Sequence, residues 1–282
     1  MAESAAYQKD VTADQSAGQE HDQWPSPDVA LQQSAPVPAT VGRVPMSLIG
    51  KAALAMWWDM SDSHRSEFEH WHTHEHFPER LGIPGFRRVT RWTSADGDEG
   101  VFVMYELDDY EVLASPAYLA RLNAPTPWSA RLMPHHRNMV RSQCRVLESG
   151  GINPARNALT IRLSPASGRD QELRAALGRM SRHIPFEPGF AGLHLLRHET
   201  PSIPATVEQK IRGNADGTAD WVLVVCGYEA DALRALAERE LSSESLVEMG
   251  AARGAERGFY ALSCSATPFD IADAPAFTTA AR

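Results

Sequence analysis

The 282-residue sequence has few cysteines and no long apolar run. Its three cysteines cannot build a disulfide framework, and none are paired at metal-ligand spacing. Nowhere do about 20 apolar residues follow one another, which is the length that a membrane-spanning helix needs. A basic segment followed by an apolar one is also missing from the amino terminus, so we expect no secretory signal. These absences predict a cytoplasmic protein of a reducing compartment, without a membrane partner.

Basic charge is also in short supply. The sequence has 27 Lys and Arg against 36 Asp and Glu, a formal net charge of −9. Proteins that bind nucleic acids need a clustered basic surface to contact the phosphates. The composition therefore argues against a nucleic-acid partner.

Residues 1–45 differ in composition from the rest, being rich in Gln, Ser, Ala, Pro and Asp. They contain six acidic residues against Lys9 and Arg43, so about −4 of the net charge of −9 belongs to this segment. Such a segment buries too little apolar surface to offset its loss of conformational entropy. We predict a disordered tail over 1–45, which acts as a solvating or linker segment rather than a recognition arm, and a second tail over 269–282.

The remaining chain contains an internal repeat. The motif Ile83-Pro84-Gly85-Phe86 returns as Glu187-Pro188-Gly189-Phe190, 104 residues later. A first repeat over 46–150 and a second over 155–268 follow from this offset. In the first repeat, the patterns predict strands at 51–59, 86–93, 101–107 and 138–147 and helices at 62–76 and 109–122. In the second, they predict strands at 158–163, 190–197, 221–228 and 259–265 and helices at 170–183 and 230–250.

Each repeat therefore has the order β-α-β-β-α-β, which is the ferredoxin-like arrangement of an α+β fold. The two helices cover one face of each four-stranded sheet and leave the other face bare. Two fused repeats can bury these bare faces against each other, so the sequence predicts tandem ferredoxin-like repeats that pack sheet to sheet.

One segment resembles a known family. Trp71-His72-Thr73-His74-Glu75-His76-Phe77-Pro78, followed by Pro84-Gly85-Phe86, is similar to the EthD-like group of the dimeric α/β barrel superfamily. Members of that group have an aromatic pair and then His-x-Pro at the end of the first helix. This chain departs from the pattern because it has His72 where the family usually has Trp.

The resemblance implies an α/β barrel, here built from two fused repeats, with a pocket inside it. Superfamily members are mostly small cofactor-free enzymes such as lactone isomerases, dehydratases, decarboxylases and polyketide cyclases. Others are quinol-forming or heme-handling oxygenases.

Four histidines lie within seven residues of the first repeat, at positions 70, 72, 74 and 76. In a helix, His72 and His76 share a face, because residues four apart are neighbours. Pro78 disfavours helical conformation at Phe77, so we expect the helix to end near His76. That position places His76 at a junction between helix and loop.

A histidine at such a junction can titrate near neutral pH and act as a general acid or base. We therefore predict His76 as a catalytic residue, assisted by His72 or Glu79. Surface exposure of the whole His-rich helix end is the alternative interpretation.

The same segment also matches H-x-x-E-H, a zinc-protease pattern, from His72 to His76. Pro78 shortens the helix that this pattern requires, and a chance match is easy in so His-rich a segment. The prediction is that the protein has no metal site and needs no cofactor. A bound divalent metal or a heme remains an alternative.

Aromatic and arginine side chains near these histidines predict a site for an apolar or aromatic ligand, which an arginine would hold if it is anionic. The predicted substrate-binding residues are Trp58, Arg88, Arg91, Trp92, Tyr105, Tyr118 and Trp128. Strand alternation places Phe86, Arg88, Thr90 and Trp92 on one face of their strand and Arg87, Val89 and Arg91 on the other. For each aromatic residue, packing in the core is the alternative.

The second repeat has no equivalent of this cluster. At an offset of 104, Ala176 and Met180 replace His72 and His76, and His183 replaces Glu79. The leading hypothesis is therefore a single site, in the first repeat. A second, different site built from His183, His194 and His198 is the alternative.

We expect this site to belong to a cofactor-independent lyase, isomerase or cyclase that acts on a small cyclic or aromatic metabolite. Histidine would provide general acid–base catalysis. A monooxygenase of the same fold, of the quinol or heme-handling type, is one alternative, and a non-catalytic small-molecule-binding protein is another. A small molecule is the expected partner, and a homodimer is left open.

Overall fold

Eight strands form one closed barrel in a computed structural model, which describes residues 48–213 and 216–271. The predicted tail over 1–45 and residues 272–282 of the predicted carboxyl-terminal tail lie outside these ranges. The strands are β1 (Ala52–Asp59), β2 (Phe86–Ser94), β3 (Gly100–Leu107), β4 (Arg137–Gly151), β5 (Asn157–Leu163), β6 (Phe190–His198), β7 (Trp221–Gly227) and β8 (Glu256–Ala266).

Helices pack outside the barrel. The α-helices are α1 (Asp62–Trp71), α2 (Phe77–Leu81), α3 (Pro116–Asn123), α4 (Pro127–Leu132), α5 (Asp170–His183), α6 (Val207–Ile211), α7 (Ala230–Glu238), α8 (Ser243–Glu248) and α9 (Pro268–Ile271). A π-helical turn, His72–His76, joins α1 to α2. Short 3₁₀ turns cover Tyr110–Ala114, Met133–His135 and Ile184–Phe186.

The strand order confirms the predicted fold class. Around the barrel the order is β1-β3-β2-β8-β5-β7-β6-β4, and every neighbouring pair is antiparallel. Each repeat contributes one ferredoxin-like sheet of four strands. The two sheets are joined by hydrogen bonds from β2 to β8 and from β4 to β6. The tandem repeats thus close into a single barrel, which leaves no free sheet edge among the strands of the described ranges.

The two copies of the repeated motif also have the same backbone turn. Gly85 and Gly189, at equivalent positions of the motif, have φ angles of +95° and +93°. This left-handed region is accessible to glycine because it has no Cβ atom. The shared conformation explains why Pro-Gly-Phe returns before the second strand of each repeat.

Side chains fill the interior of the barrel. Trp57 and Trp92 stack on either side of Phe102, with ring centroids 4.9 and 5.1 Å away, respectively. Smaller residues such as Ala53 and Ala55 leave room for these rings, and all eight strands contribute to the same cluster. The expected pocket inside the barrel is therefore wrong, because aromatic rings occupy that space.

Apolar side chains also cover the outer face of each sheet. In the second repeat, Leu173, Leu177 and Met180 follow one stripe of α5 and pack on its sheet. In the first repeat, the outer face packs against α1, α2 and α3 and includes several aromatic rings. None of the helices within 48–213 and 216–271 has the length and apolar character needed to cross a lipid bilayer.

Phe102 is expected to be critical for barrel stability, because it is fully buried between two indoles. Phe102→Ala should lower the free energy of unfolding by about 3–5 kcal/mol, the usual cost of truncating a buried phenylalanine. Urea unfolding measures this change. Phe269→Ala is the matched control, since Phe269 is 92% exposed and its loss should change stability by less than about 0.5 kcal/mol. Equal effects of the two substitutions would contradict the assignment.

Candidate functional site

The first helix of the chain does not end at His76. After α1, the π-helical turn continues into α2, and the Phe77 N–H donates to the carbonyl of His72, five residues back. Pro78 lies in the first turn of α2, where a missing N–H costs nothing. The predicted stop near His76 is thus wrong, because the wider turn lets the chain remain helical through the proline.

His72 and His76 lie side by side, as their spacing predicts. Their rings stack with centroids 5.3 Å apart and planes 19° from parallel. His72 is 2% exposed and His76 is 7% exposed, whereas His70 and His74 lie on the surface. The alternative of a surface-exposed cluster therefore holds for His70 and His74, whereas His72 and His76 are buried.

A cavity lies between the outer face of the first sheet and its helices. Its free volume is about 40 Å³, and the whole depression with its open mouth encloses about 450 Å³. Five predicted residues line it, namely Trp58, His72, His76, Tyr105 and Tyr118. Six further polar or aromatic residues were not predicted, namely Trp71, Arg80, His136, Arg141, Glu208 and Arg212. Leu54, Met56, Leu122, Met133 and Met139 complete the wall.

Two of the predicted substrate residues face the barrel interior instead. Trp92 stacks on Phe102 there, and Arg88 donates to the carbonyl of Asn153 and lies 3.4 Å from Glu106. The sequence predicts Phe86 on the same face as Arg88 and Trp92. The structure places it on the opposite face, because the register of β2 breaks between Phe86 and Arg88. With this bulge, Phe86 shares the outer face with Val89, so the simple alternation predicted for Phe86 is wrong.

Three more predicted residues lie near the cavity without lining it. The Arg91 guanidinium is 3.4 Å from His72 Nδ1, and Arg91 is not among the residues that line the cavity. Glu79 lies behind His76, with 3.8 Å from its Oε2 to His76 Nδ1. Trp128 donates to Glu67 at 3.0 Å on the outer surface and packs on His70, so it forms no lid over the site.

Burial keeps the paired histidines neutral. Desolvation lowers the pKa of His72 well below its usual value, and the positive charge of nearby Arg91 lowers it further. The pKa of His76 is lowered in the same way, with Arg80 as the nearby cation. The sequence predicts that the histidine titrates near neutral pH. In the structure both imidazoles are instead neutral at pH 7. Burial also raises the pKa of the Glu79 carboxyl, which Arg80 partly offsets.

His136 is a third histidine of the site. Its Nδ1 lies 3.2 Å from the carbonyls of Leu132 and Met133, so Nδ1 carries the proton and Nε2 is an acceptor. Burial lowers the pKa of His136 to about 4. Its ring lies 4.9 Å from Trp58, which places three neutral imidazoles among aromatic rings.

The second repeat supplies one wall of the cavity. Glu208 on α6 pairs with Arg80 of the first repeat, and both side chains are buried. Arg212 lies 3.9 Å from Glu208 and 2.8 Å from Asp216, so the charges alternate along the wall. One local signal for α6 exists in the sequence: Thr206 and Gln209 form a capping box. The pairing of Glu208 with Arg80 has no local signal, because the two residues are 128 positions apart.

Several buried polar atoms of the site lack a hydrogen-bond partner within the described ranges. They are Trp58 Nε1, His76 Nδ1, Arg80 Nη1 and Tyr105 Oη. Burial raises the pKa of Tyr105, so its hydroxyl stays protonated and remains a donor. Buried polar groups normally have partners, and a convergence of orphaned ones indicates a place for a ligand with acceptor atoms.

Glu75 of the H-x-x-E-H match does not join the two histidines. The Glu75 carboxylate accepts from Trp71 Nε1 at 3.1 Å and from the Thr126 hydroxyl, so it is directed away from the two histidines. Across residues 48–213 and 216–271, no three His, Cys, Asp or Glu side chains converge as metal ligands.

At the equivalent positions of the second repeat, Ala176 and Met180 are buried against its sheet. His183 is on the surface. The cavity with paired histidines therefore belongs to the first repeat.

No protein-family model matches the sequence, and no curated protein matches it either. Among solved structures, an anthrone oxidase-like protein is similar, with 13% identity, a TM-score of 0.55 and coverage of 79% of this chain and 96% of that chain. A candidate monooxygenase from Fusobacterium nucleatum subsp. nucleatum has 10% identity, a TM-score of 0.53 and coverage of 78% and 95%. Another candidate monooxygenase, from Lactobacillus acidophilus NCFM, has 9% identity, a TM-score of 0.50 and coverage of 78% and 97%. At these identities the likeness establishes the ferredoxin-like α+β barrel fold.

Acid should destabilise the protein through the buried histidines. His136 has a folded pKa of about 4 and an ordinary value of 6.5, so the unfolded state binds more protons between these pH values. The contribution of His136 to stability is complete above pH 6.5 and is lost as the pH falls toward 4. Over this range the equilibrium constant of unfolding rises by up to tenfold for each pH unit.

His136→Gln tests this expectation by urea unfolding from pH 7.5 to 4.5. Glutamine can still donate to the carbonyls of Leu132 and Met133, and it does not titrate. In the variant, the change of the free energy of unfolding with pH should be smaller by the contribution of about one bound proton. An unchanged slope would contradict a neutral, buried His136.

Proposed function

We propose that this protein is a cofactor-independent monooxygenase that oxidises an electron-rich aromatic compound. The observation that carries the proposal is the neutral imidazole of His76, whose Nδ1 has no hydrogen-bond partner among the described residues and whose ring borders an aromatic cavity. A neutral imidazole can accept a proton from an acidic O–H or C–H group. Glu79, 3.8 Å away, is placed to stabilise the imidazolium that results.

The proposed reaction converts an activated aromatic methylene group and O₂ into a carbonyl group and water. His76 removes one proton from the carbon, and the resulting carbanion transfers electrons to O₂. One oxygen atom forms the new C=O bond, and the other leaves as water with the two hydrogens of the methylene group. The electrons come from the substrate, so no other reductant is needed.

The chain's own residues hold the substrate oxygen in this proposal. Tyr105 and Trp58 line the cavity, and each has a buried donor without a partner among the described residues. Arg141 also lines it and donates to the Tyr118 hydroxyl at 2.8 Å rather than to a carboxylate. Hydrogen bonds and positive charge stabilise an oxyanion that develops as the proton leaves.

The structural likenesses favour oxidation over isomerisation or simple ligand binding. One similar protein is named anthrone oxidase-like, and two others are candidate monooxygenases. An anthrone has the activated methylene group that the proposed reaction requires. We therefore propose anthrones as the first substrate class to test. Membership of the EthD-like group, a homodimer and a cytoplasmic location are further parts of the proposal.

The size of the cavity limits which molecules can bind in it. A free volume of about 40 Å³ accommodates O₂ or about three water molecules. An aromatic substrate requires the flexible side chains of Met133, Met139 and Leu122 to move toward the open mouth. The proposed reaction uses no heme, and a porphyrin is far larger than the free volume of about 40 Å³.

A lyase or isomerase is the second candidate. The neutral His76 would serve equally as the base for proton transfer next to a carbonyl group, with no oxygen consumed. Dependence on O₂ separates the two functions.

Loss of the base should abolish most of the turnover. His76→Asn is expected to lower kcat by about 10²–10⁴-fold, because asparagine keeps a polar group but cannot accept the proton at neutral pH. Oxygen uptake with anthrone as substrate measures the effect. His74→Asn is the matched control on the exposed side of the same helical turn, and it should retain wild-type turnover.

Labelled oxygen tests the reaction type in the same assay. With ¹⁸O₂, one labelled atom is expected in the product carbonyl group, and no product should form without oxygen. Product formation under anaerobic conditions would contradict the monooxygenase and favour the lyase or isomerase. Wild-type oxygen uptake by His76→Asn would contradict the role of His76.

Arg141 is expected to contribute to binding of the developing oxyanion. Arg141→Gln should lower kcat/KM about tenfold for a hydroxylated anthrone, because it removes one charge-assisted hydrogen bond to the oxyanion that develops in the transition state. Arg145→Gln on the same strand is the control, because Arg145 pairs with Glu199 and Glu111 outside the cavity. Equal kcat/KM values for the two variants would contradict the assignment.

A further inference from the structure

A second, larger cavity lies beside the candidate site. We call it the outer cavity, and its volume is about 340 Å³. The residues that matter for its chemistry are Gln143, Thr200, Ile203, Ala205, Gln209 and Asp216. Its size is within the range of small-molecule sites, unlike the free volume beside His76.

Gln143 is the feature that indicates a ligand. This residue is 5% exposed, and its Nε2 has no hydrogen-bond partner within the described part of the chain. Its backbone is fixed in β4 by pairing with Leu54 of β1. Buried amide groups normally have hydrogen-bond partners, so a ligand oxygen that accepts from Gln143 would satisfy this one.

The rest of the lining defines the class of ligand. Asp216 is neutralised by Arg212 at 2.8 Å, so the cavity offers no free charge on that side. Ile203 and Ala205 supply apolar surface, and the Thr200 hydroxyl is a further hydrogen-bonding group. These contacts suit an uncharged aromatic ring that carries a hydroxyl or carbonyl group.

Residues that lie close together line the two cavities, although no described residue lines both. Arg141 and Gln143 are two residues apart on the same face of β4, and one lines each cavity. Arg212 lines the inner cavity and Asp216 lines the outer one, and their side chains form an ion pair at 2.8 Å. The outer cavity is therefore connected to the lining of the inner one through β4 and through this ion pair.

We infer that the outer cavity is a subsite that binds the uncharged, oxygen-bearing aromatic substrate, with Gln143 as its specificity-determining residue. This inference rests on the proposed function for the identity of the ligand. Binding to the subsite requires no turnover, so the two can be tested separately.

A pair of probes of similar size tests the subsite. 1-Naphthol carries a hydroxyl group where 1-methylnaphthalene carries a methyl group, and calorimetry measures both Kd values on the full chain with His76→Asn. We expect 1-naphthol to bind about tenfold more tightly, since one hydrogen bond to a buried amide contributes about that factor. Adding Gln143→Leu should reduce the ratio of the two Kd values to about one.

Two further variants guard against a trivial result. Gln171→Leu makes the same replacement at an exposed position of α5 and should keep the tenfold ratio. Ala205→Trp fills the cavity and should weaken both probes by more than tenfold, even if Gln143→Leu does not fold. A tenfold ratio that persists in Gln143→Leu, or no binding of either probe to the parent chain, would overturn the inference.

The outcomes also separate the subsite from the proposed reaction. If Gln143 determines the preference for 1-naphthol but oxygen uptake is absent, the subsite stands and the oxidation fails. If oxygen uptake depends on His76 but the preference is missing, the oxidation stands and the subsite fails.

Discussion

The stack of Trp57, Phe102 and Trp92 fills the middle of the barrel, and this filling decides where a ligand can bind. Pairing of β2 with β8 and of β4 with β6 joins the two sheets into a closed barrel. The inner face of each sheet therefore packs in the core. Space for a ligand then exists where helices meet the outer face of a sheet. The helix that carries His72 and His76 lies over that face in the first repeat, and the candidate site follows from this position.

Burial sets the chemistry of that site. Enclosed among aromatic rings, His72 and His76 lose hydration, and hydration stabilises the charged form more than the neutral one. Nearby arginines act in the same direction. The result is a set of neutral imidazoles beside the fixed positive charge of Arg80, which Glu208 holds in place. Such a site is suited to accepting a proton and stabilising an oxyanion in a medium of low polarity.

Duplication has produced two repeats with different duties. The first provides the histidines, and at equivalent positions the second provides Ala176 and Met180, which pack against its own sheet. Its contribution to the site comes from the longer connection after β6, which includes α6 and Glu208. The duplication is visible in the Pro-Gly-Phe motif because equivalent turns need glycine at the same place. The connection after β6 brings Glu208 beside Arg80 of the first repeat.

The sequence by itself determined the repeat, the order of elements and the pairing of His72 with His76, because turns and helical spacing are local properties of the chain. It could not tell that Arg88 and Trp92 face the barrel interior, or that a bulge in β2 turns Phe86 to the opposite face. Nor could it join Arg80 to Glu208 or assemble His136 and Arg141 with the histidine pair. Those contacts depend on long-range packing, and only the closed tertiary structure brings such distant residues together.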